Sequence, residues 1–137
     1  MSGVFYFIGV AGVLGMLVHP TPKDDAGAPI SATAICKERV GPGRVLCSVE
    51  VTSSRPLQWV DLVIEGAPAH LALLERRFSD KEATRRTETS AKFEVALIAK
   101  SHGAGEVPFL VRSVLCEKNA ACQPHTLRVR AEARVAE

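Results

Sequence analysis

The chain has 137 residues, 47% hydrophobic and 23% charged, which is ordinary globular usage and excludes disorder throughout. Lysine plus arginine total 17 and aspartate plus glutamate 15, a net charge of +2 that does not suggest the concentrated basic face of a nucleic-acid binder. Ten glycines and eight prolines are spread along the chain, which a long helical bundle would not tolerate.

Residues 3–18, GVFYFIGVAGVLGMLV, carry no charge. As a helix they span about 24 Å, short of the ~30 Å hydrocarbon core unless His19 or Thr21 extends the span toward the headgroups. Besides a buried soluble segment, two membrane readings stay open: a retained membrane anchor and a secretory signal that is removed. The first 22 residues hold no Lys or Arg, so the basic start of a signal is missing, and Pro29 directly after Ala26-Gly27-Ala28 fits poorly at a cleavage point. Either reading exports the rest of the chain. Residues 1–20 are therefore expected as an N-terminal hydrophobic helix, anchor or signal. Residues 21–29 are expected as a linker, from the composition of HPTPKDDAGAP, and residues 30–137 as one domain in the periplasm or at the cell surface.

That domain reads as strands, because several runs alternate in polarity with period two. Ile30–Lys37 is the first, and Gly41-Pro42-Gly43 turns the chain. Arg44–Thr52 puts Val45, Cys47, Val49 and Val51 on one face and Ser48, Glu50 and Thr52 on the other. Leu57–Glu65 groups Val60, Leu62 and Ile64. Ala69–Phe78 also fits helical spacing through Leu71, Leu74 and Phe78, but its length and flanking Pro68 favour a strand. Ser79–Ser90, SDKEATRRTETS, reads as a solvated loop or edge segment. Ala91–Lys100, Val107–Cys116 and Thr126–Val135 complete about seven strands, which predicts an all-β, antiparallel, immunoglobulin-like β-sandwich. Trp59 is expected in its core.

Four cysteines, Cys36, Cys47, Cys116 and Cys122, suit disulfides in an exported domain. The spacing of Cys47, Trp59 and Cys116 resembles the immunoglobulin inter-sheet bridge packed on tryptophan. Two features oppose it: Val114 stands where the tyrosine corner would be, and Arg112 shares a strand face with Cys116. The alternative is two local bridges, Cys36 with Cys47 and Cys116 with Cys122, each closing a hairpin. Cys116, Cys122 and His125 offer three metal ligands, but a disulfide competes with that use in an oxidising compartment. The chain shows no cofactor-binding motif, glycine-rich phosphate loop or nucleophile elbow, so no cofactor and no small-molecule substrate are expected.

The stretch Cys116-Glu117-Lys118-Asn119-Ala120-Ala121-Cys122-Gln123-Pro124 has the form C-x5-C-x-P between two late strands. It resembles the cysteine hairpin of the periplasmic N-terminal domain of the transmembrane thiol:disulfide interchange reductase. The resemblance implies an immunoglobulin-like fold and a redox pair, Cys116 and Cys122, that passes reducing equivalents between partner proteins. Lys118 and His125 would favour thiolate there, and Glu117 would oppose them. This sequence departs from that family in having Leu115 before the pair, an additional pair in Cys36 and Cys47, and neither a membrane electron-conducting domain nor a C-x-x-C module. With no acid, base and nucleophile brought together by spacing, the function expected is a non-catalytic accessory or assembly module. It is expected to hold to the membrane through residues 3–18 and to contact protein partners at the membrane's outer side. The strands Arg44–Thr52 and Ala69–Phe78 are candidate edges for those contacts. Thiol–disulfide exchange through Cys116 and Cys122 is the alternative.

Overall fold

Alternating polarity builds the folded part of this chain almost wholly from two-sided strands. The computed structural model describes residues 28–117 and 121–137, so the expected anchor or signal helix of residues 1–20 lies outside the described residues. The strands are β1 (Ile30–Cys36), β2 (Arg39–Val40), β3 (Gly43–Ser53), β4 (Leu57–Ile64) and β5 (Leu71–Leu73). They continue with β6 (Arg77–Phe78), β7 (Arg85–Arg86), β8 (Ser90–Ala99), β9 (Gly103–Cys116) and β10 (Cys122–Ala136). A 3-10 turn at Asp80–Glu82 is the helical element among the described residues.

One sheet runs β1-β3-β8-β5, with β7 also on β8; the other runs β2-β10-β9-β4-β6. Every pairing is antiparallel except that of β2 with β10. The neighbour relations β1-β3-β8-β5 and β10-β9-β4 are those of an immunoglobulin-type sandwich. Both sheets contribute to one core. The first supplies Val45, Val49, Val51, Phe93, Val95 and Leu97, and the second Val60, Leu62, Ile64, Val107, Phe109, Val111 and Leu115, all buried.

The facing expected for Arg44–Thr52 and Leu57–Glu65 holds, but three expectations need correction. Among the described residues there are ten strands rather than about seven, because β2, β6 and β7 are two-residue pieces fixed by pairing and too short to show a period. The segment Ala69–Phe78 is two strands in different sheets: Leu71–Leu73 pairs with β8 and Arg77–Phe78 with β4. The chain changes sheets around the exposed Leu74, so the helix-like spacing of Leu71, Leu74 and Phe78 marks a crossover. Finally, Arg44–Thr52 is not an edge. It belongs to β3, whose two sides are taken by β1 and β8. The other candidate, Ala69–Phe78, does lie at sheet edges, as β5 and β6.

Both disulfides are local. Cys36 lies opposite Cys47 in the β1–β3 ladder and Cys116 opposite Cys122 in the β9–β10 ladder, and each pair is bonded. Lys37 N–H donates to Leu46 O at 2.8 Å, so the next pair, Cys36/Cys47, falls at a non-hydrogen-bonded position. Cys116 N–H donates to Pro56 O at 3.0 Å, away from β10, so Cys116/Cys122 does too. Directly opposed side chains come closest at such positions, and this is the geometry a cross-strand bridge needs. The Cys47–Trp59–Cys116 arrangement does not form: Leu115, not Cys116, faces the core in β9. The two bridges differ in setting, since Cys47 is 2% exposed within the core and Cys116–Cys122 sits on the outer face of the second sheet.

At the far end of β9, Gly103 (φ +155°) lies against the buried ring of His70, where an added Cβ would come within 2.9 Å of His70 Cγ.

Replacing Cys36 and Cys47 together by alanine is expected to cost about 3 kcal/mol from loop closure alone, and more because a core position is emptied. Replacing Cys116 and Cys122 is expected to cost about 2 kcal/mol. Urea unfolding of the two double variants checks this, and a larger loss at 116/122 than at 36/47 would contradict the placement of the bridges.

A candidate interaction face beside the Cys116–Cys122 bridge

The face is set by an irregularity in β4. Leu57 lies opposite Leu115 and Trp59 opposite Val114, so β4 spends one more residue than β9 between these pairs. Gln58 is therefore the extra residue of a β-bulge. Strict alternation from the buried Leu57 would send Trp59 and Asp61 into the core. The bulge reverses the phase, so Val60, Leu62 and Ile64 point inward and Trp59 and Asp61 outward. Trp59 is 37% exposed, which corrects the expectation of a core tryptophan.

On its other side β4 has an open edge beyond the end of β6, and the Ser79–Ser90 segment supplies partners for the backbone groups there. Arg86 Nη2 donates to Leu57 O at 2.6 Å, and Val60 N–H donates to Asp80 Oδ2 at 3.1 Å. Leu57 N–H donates to Glu88 O at 2.7 Å. Arg86 Nε and Asp80 Oδ1 are themselves paired at 2.8 Å. Ser79 N–H donates to Glu82 Oε1 at 2.7 Å, which holds the Glu82 carboxyl below its ordinary value and closes the turn that carries Asp80. The segment expected as a solvated loop or edge segment carries the short strand β7 on β8, and it also braces β4.

Asp61 faces outward yet is only 1% exposed, because two arginines close over it. Arg112, its direct neighbour on β9, donates from Nε to Oδ1 at 2.9 Å and from Nη2 to Oδ2 at 2.5 Å. This two-pronged contact matches the guanidinium fork to the carboxylate. Arg77, on β6, donates from Nε to Oδ2 at 3.3 Å. The Asp61 hydrogen bond, and after it the Asp61 charge, holds the Arg112 guanidinium above its ordinary value. Its carbon lies 5.8 Å from the centre of the Trp59 ring, a cation–π contact. Lower on the same face the charges pair off: Arg128 with Glu65 at 3.0 Å, Arg130 with Glu106 at 3.5 Å and Arg134 with Glu132 at 3.0 Å.

Above the cluster the face turns apolar. Trp59 opposes Val114, Val114 opposes Pro124, and Cys116–Cys122 follows. Arg55 and Glu117 pair at 3.0 Å beside the bridge, while Lys118 lies outside the described residues. His125 does not join the cysteines. It opposes Ser113 on the inner face of its strand pair, whereas Cys116 and Cys122 take the outer face, so the three-ligand metal arrangement does not form. Among the described residues no group of three or more His, Cys, Asp and Glu is placed to hold a metal ion. Sequence reasoning missed Asp61, Arg77, Asp80 and Arg86. A signal for the first was present: a lone acid inside the apolar run Leu57–Ile64 requires a cation on a neighbouring strand.

No family model matches the chain and no curated protein matches it. Among solved structures it is similar to the ASH / PapD-like domain of human CEP192 (PapD-like domain 7), at 11% identity and a TM-score of 0.37. The likeness covers 91% of this chain and 96% of that one. The class of the domain, a two-sheet antiparallel sandwich with immunoglobulin strand order, rests on its own pairing.

Truncation of Asp61 to alanine leaves two guanidinium groups facing each other with no anion between them. Discounted for the exposure of both arginines, the expected loss is about 2 kcal/mol. Arg77→Ala, which removes one 3.3 Å contact from an exposed side chain, is expected to cost less than about 1 kcal/mol. Thermal unfolding of the two variants checks the order, and equal losses would mean that Arg77 shares the structural role of Arg112.

Proposed function

We propose that the chain is a non-catalytic accessory or assembly module on the outer side of a membrane. Residues 3–18 tether it, and it works through protein contacts on the outer face of the second sheet. The observation that carries this reading is the outward-turned Trp59, set among Arg112, Val114 and Pro124 on a sheet face that no other described element covers. The few residues that carry most of the binding energy at protein interfaces are enriched in tryptophan and arginine, and a bulge that exposes the chain's single tryptophan gives up core burial to do so. Two disulfides in so small a domain suit an oxidising compartment, in keeping with export by the apolar leader. Among the described residues no helix is long and apolar enough to cross a membrane, so residues 3–18 are the segment on which the tether rests. Protein partners, and neither nucleic acid nor a small-molecule substrate, suit this surface.

A second reading has one observation in its favour: the Cys116–Cys122 bridge lies on that same outer face, with Cys122 exposed to solvent. In exchange, a thiolate of a partner dithiol attacks one sulfur of the bridge to form a mixed disulfide. The partner's second thiol then resolves it, so the partner is oxidised to its disulfide while Cys116 and Cys122 gain two electrons and two protons.

The natural product is expected in the membrane fraction with residues 1–28 and two disulfides present, as read by intact mass. The potential of the 116–122 bridge is expected below about −300 mV, and a Cys122→Ala protein is expected to trap no mixed disulfide through Cys116. A soluble cytosolic product with four free thiols would contradict the accessory reading. A potential well above that mark, together with a trapped partner, would replace it with the exchange reading.

A further inference from the structure

We infer that the outer face of the second sheet carries a carboxylate-binding site, built by Arg77, Arg112 and Trp59 over Asp61, that takes an acidic side chain from an extended apolar segment of a partner protein. The inference rests on the protein-contact reading above and names the chemistry of the partner.

Charge is the first ground. Asp61 brings one negative charge to the cluster and Arg77 and Arg112 bring two positive ones, so the site keeps an unbalanced cation at its mouth. On the same face Glu65 and Glu106 are engaged by Arg128 and Arg130, and Glu75, two residues before Arg77, lies against Glu82.

Donor geometry is the second. Asp61 occupies Nε and Nη2 of Arg112 but only Nε of Arg77. The Arg77 fork therefore keeps both terminal nitrogens free of Asp61, on a side chain that is 64% exposed. Asp61, nine-tenths and more buried, fixes the stems of both guanidinium groups and spares a ligand part of the cost of ordering them. Guanidinium groups held in this way favour a planar, two-oxygen acceptor over a point charge.

Shape is the third. Trp59, Val114 and Pro124 form an apolar strip directly beside the cations. Arg77 sits on β6, the edge strand of its sheet, so an extended segment can reach the site from the open side. A strand-like segment presents alternate side chains to one face, which allows one residue to meet the arginines and another to lie on Trp59.

The test uses the 137-residue chain in zwitterionic detergent and a blocked peptide alternating Leu and Glu, with the matching Leu–Gln peptide as control. Trp59 is the single tryptophan, so its fluorescence and its one indole N–H resonance report on the site without assignment. The Leu–Glu peptide is expected to shift both signals saturably, and the Leu–Gln peptide to bind at least about tenfold more weakly. Arg77→Ala is expected to weaken the Leu–Glu peptide by about tenfold while the fold is retained, and added salt to weaken it further. Equal binding of the two peptides, unchanged binding by Arg77→Ala, or no shift at millimolar peptide overturns the site. A natural partner that binds Arg77→Ala and Trp59→Ala proteins as well as the wild type would also overturn it, while leaving the accessory reading in place at another surface. Failure to find any partner on an otherwise carboxylate-competent face would instead count against the accessory reading.

Discussion

Beyond the end of β6 the open edge of β4 presents the carbonyl of Leu57 and the amide of Val60, which are met by the side chains of Arg86 and Asp80. The Asp80–Arg86 ion pair braces this edge on both sides of the bulge at Gln58. The consequences run outward from it. Val60, Leu62 and Ile64 keep the core, while Trp59 and Asp61 turn to the far face of the sheet. Asp61 then meets Arg112 across the β4–β9 ladder and Arg77 across the edge, and Trp59 lies under the Arg112 guanidinium. A face that would otherwise show plain alternation becomes an arrangement of one buried acid, two cations and one aromatic ring.

The two disulfides divide their work along the same inside–outside line. Cys36–Cys47 closes the first hairpin on the core side, where loss of Cys47 would also open a cavity. Cys116–Cys122 closes the hairpin between the two longest strands on the outer side, next to Val114 and Pro124. The second bridge is thus part of the candidate face as well as a constraint on its frame. Its sulfurs are where a partner could reach them, which is why stapling and exchange give different chemistry from the same position.

Much of the framework was legible in the chain. Strict alternation in Val45–Val51 and in Phe93–Leu97 has one physical meaning, a half-buried strand, and the facing of Arg112 already turned Cys116 away from the core. The bulge was harder to read, because Val60, Leu62 and Ile64 alternate perfectly by themselves and tryptophan passes for a core residue. Its trace was the step from Leu57 to Val60, two core-facing positions an odd number of steps apart, which an unbroken strand cannot place on one face. The brace was not legible at all. Asp80 and Arg86 sit in a run of mixed charge, and nothing local distinguishes them from Glu82 or Arg85; only the fold brings them to β4. The two-residue strands were invisible for a related reason, since pairing rather than periodicity makes them.

All of this depends on which way one ring points. Nuclear Overhauser contacts from the indole of Trp59, the single tryptophan, decide it in one spectrum. If the braced bulge sets the facing of β4, the ring protons contact the methyl groups of Val114 and the side chain of Arg112. Contacts to Phe93 or Leu97 would put the ring in the core and remove the face.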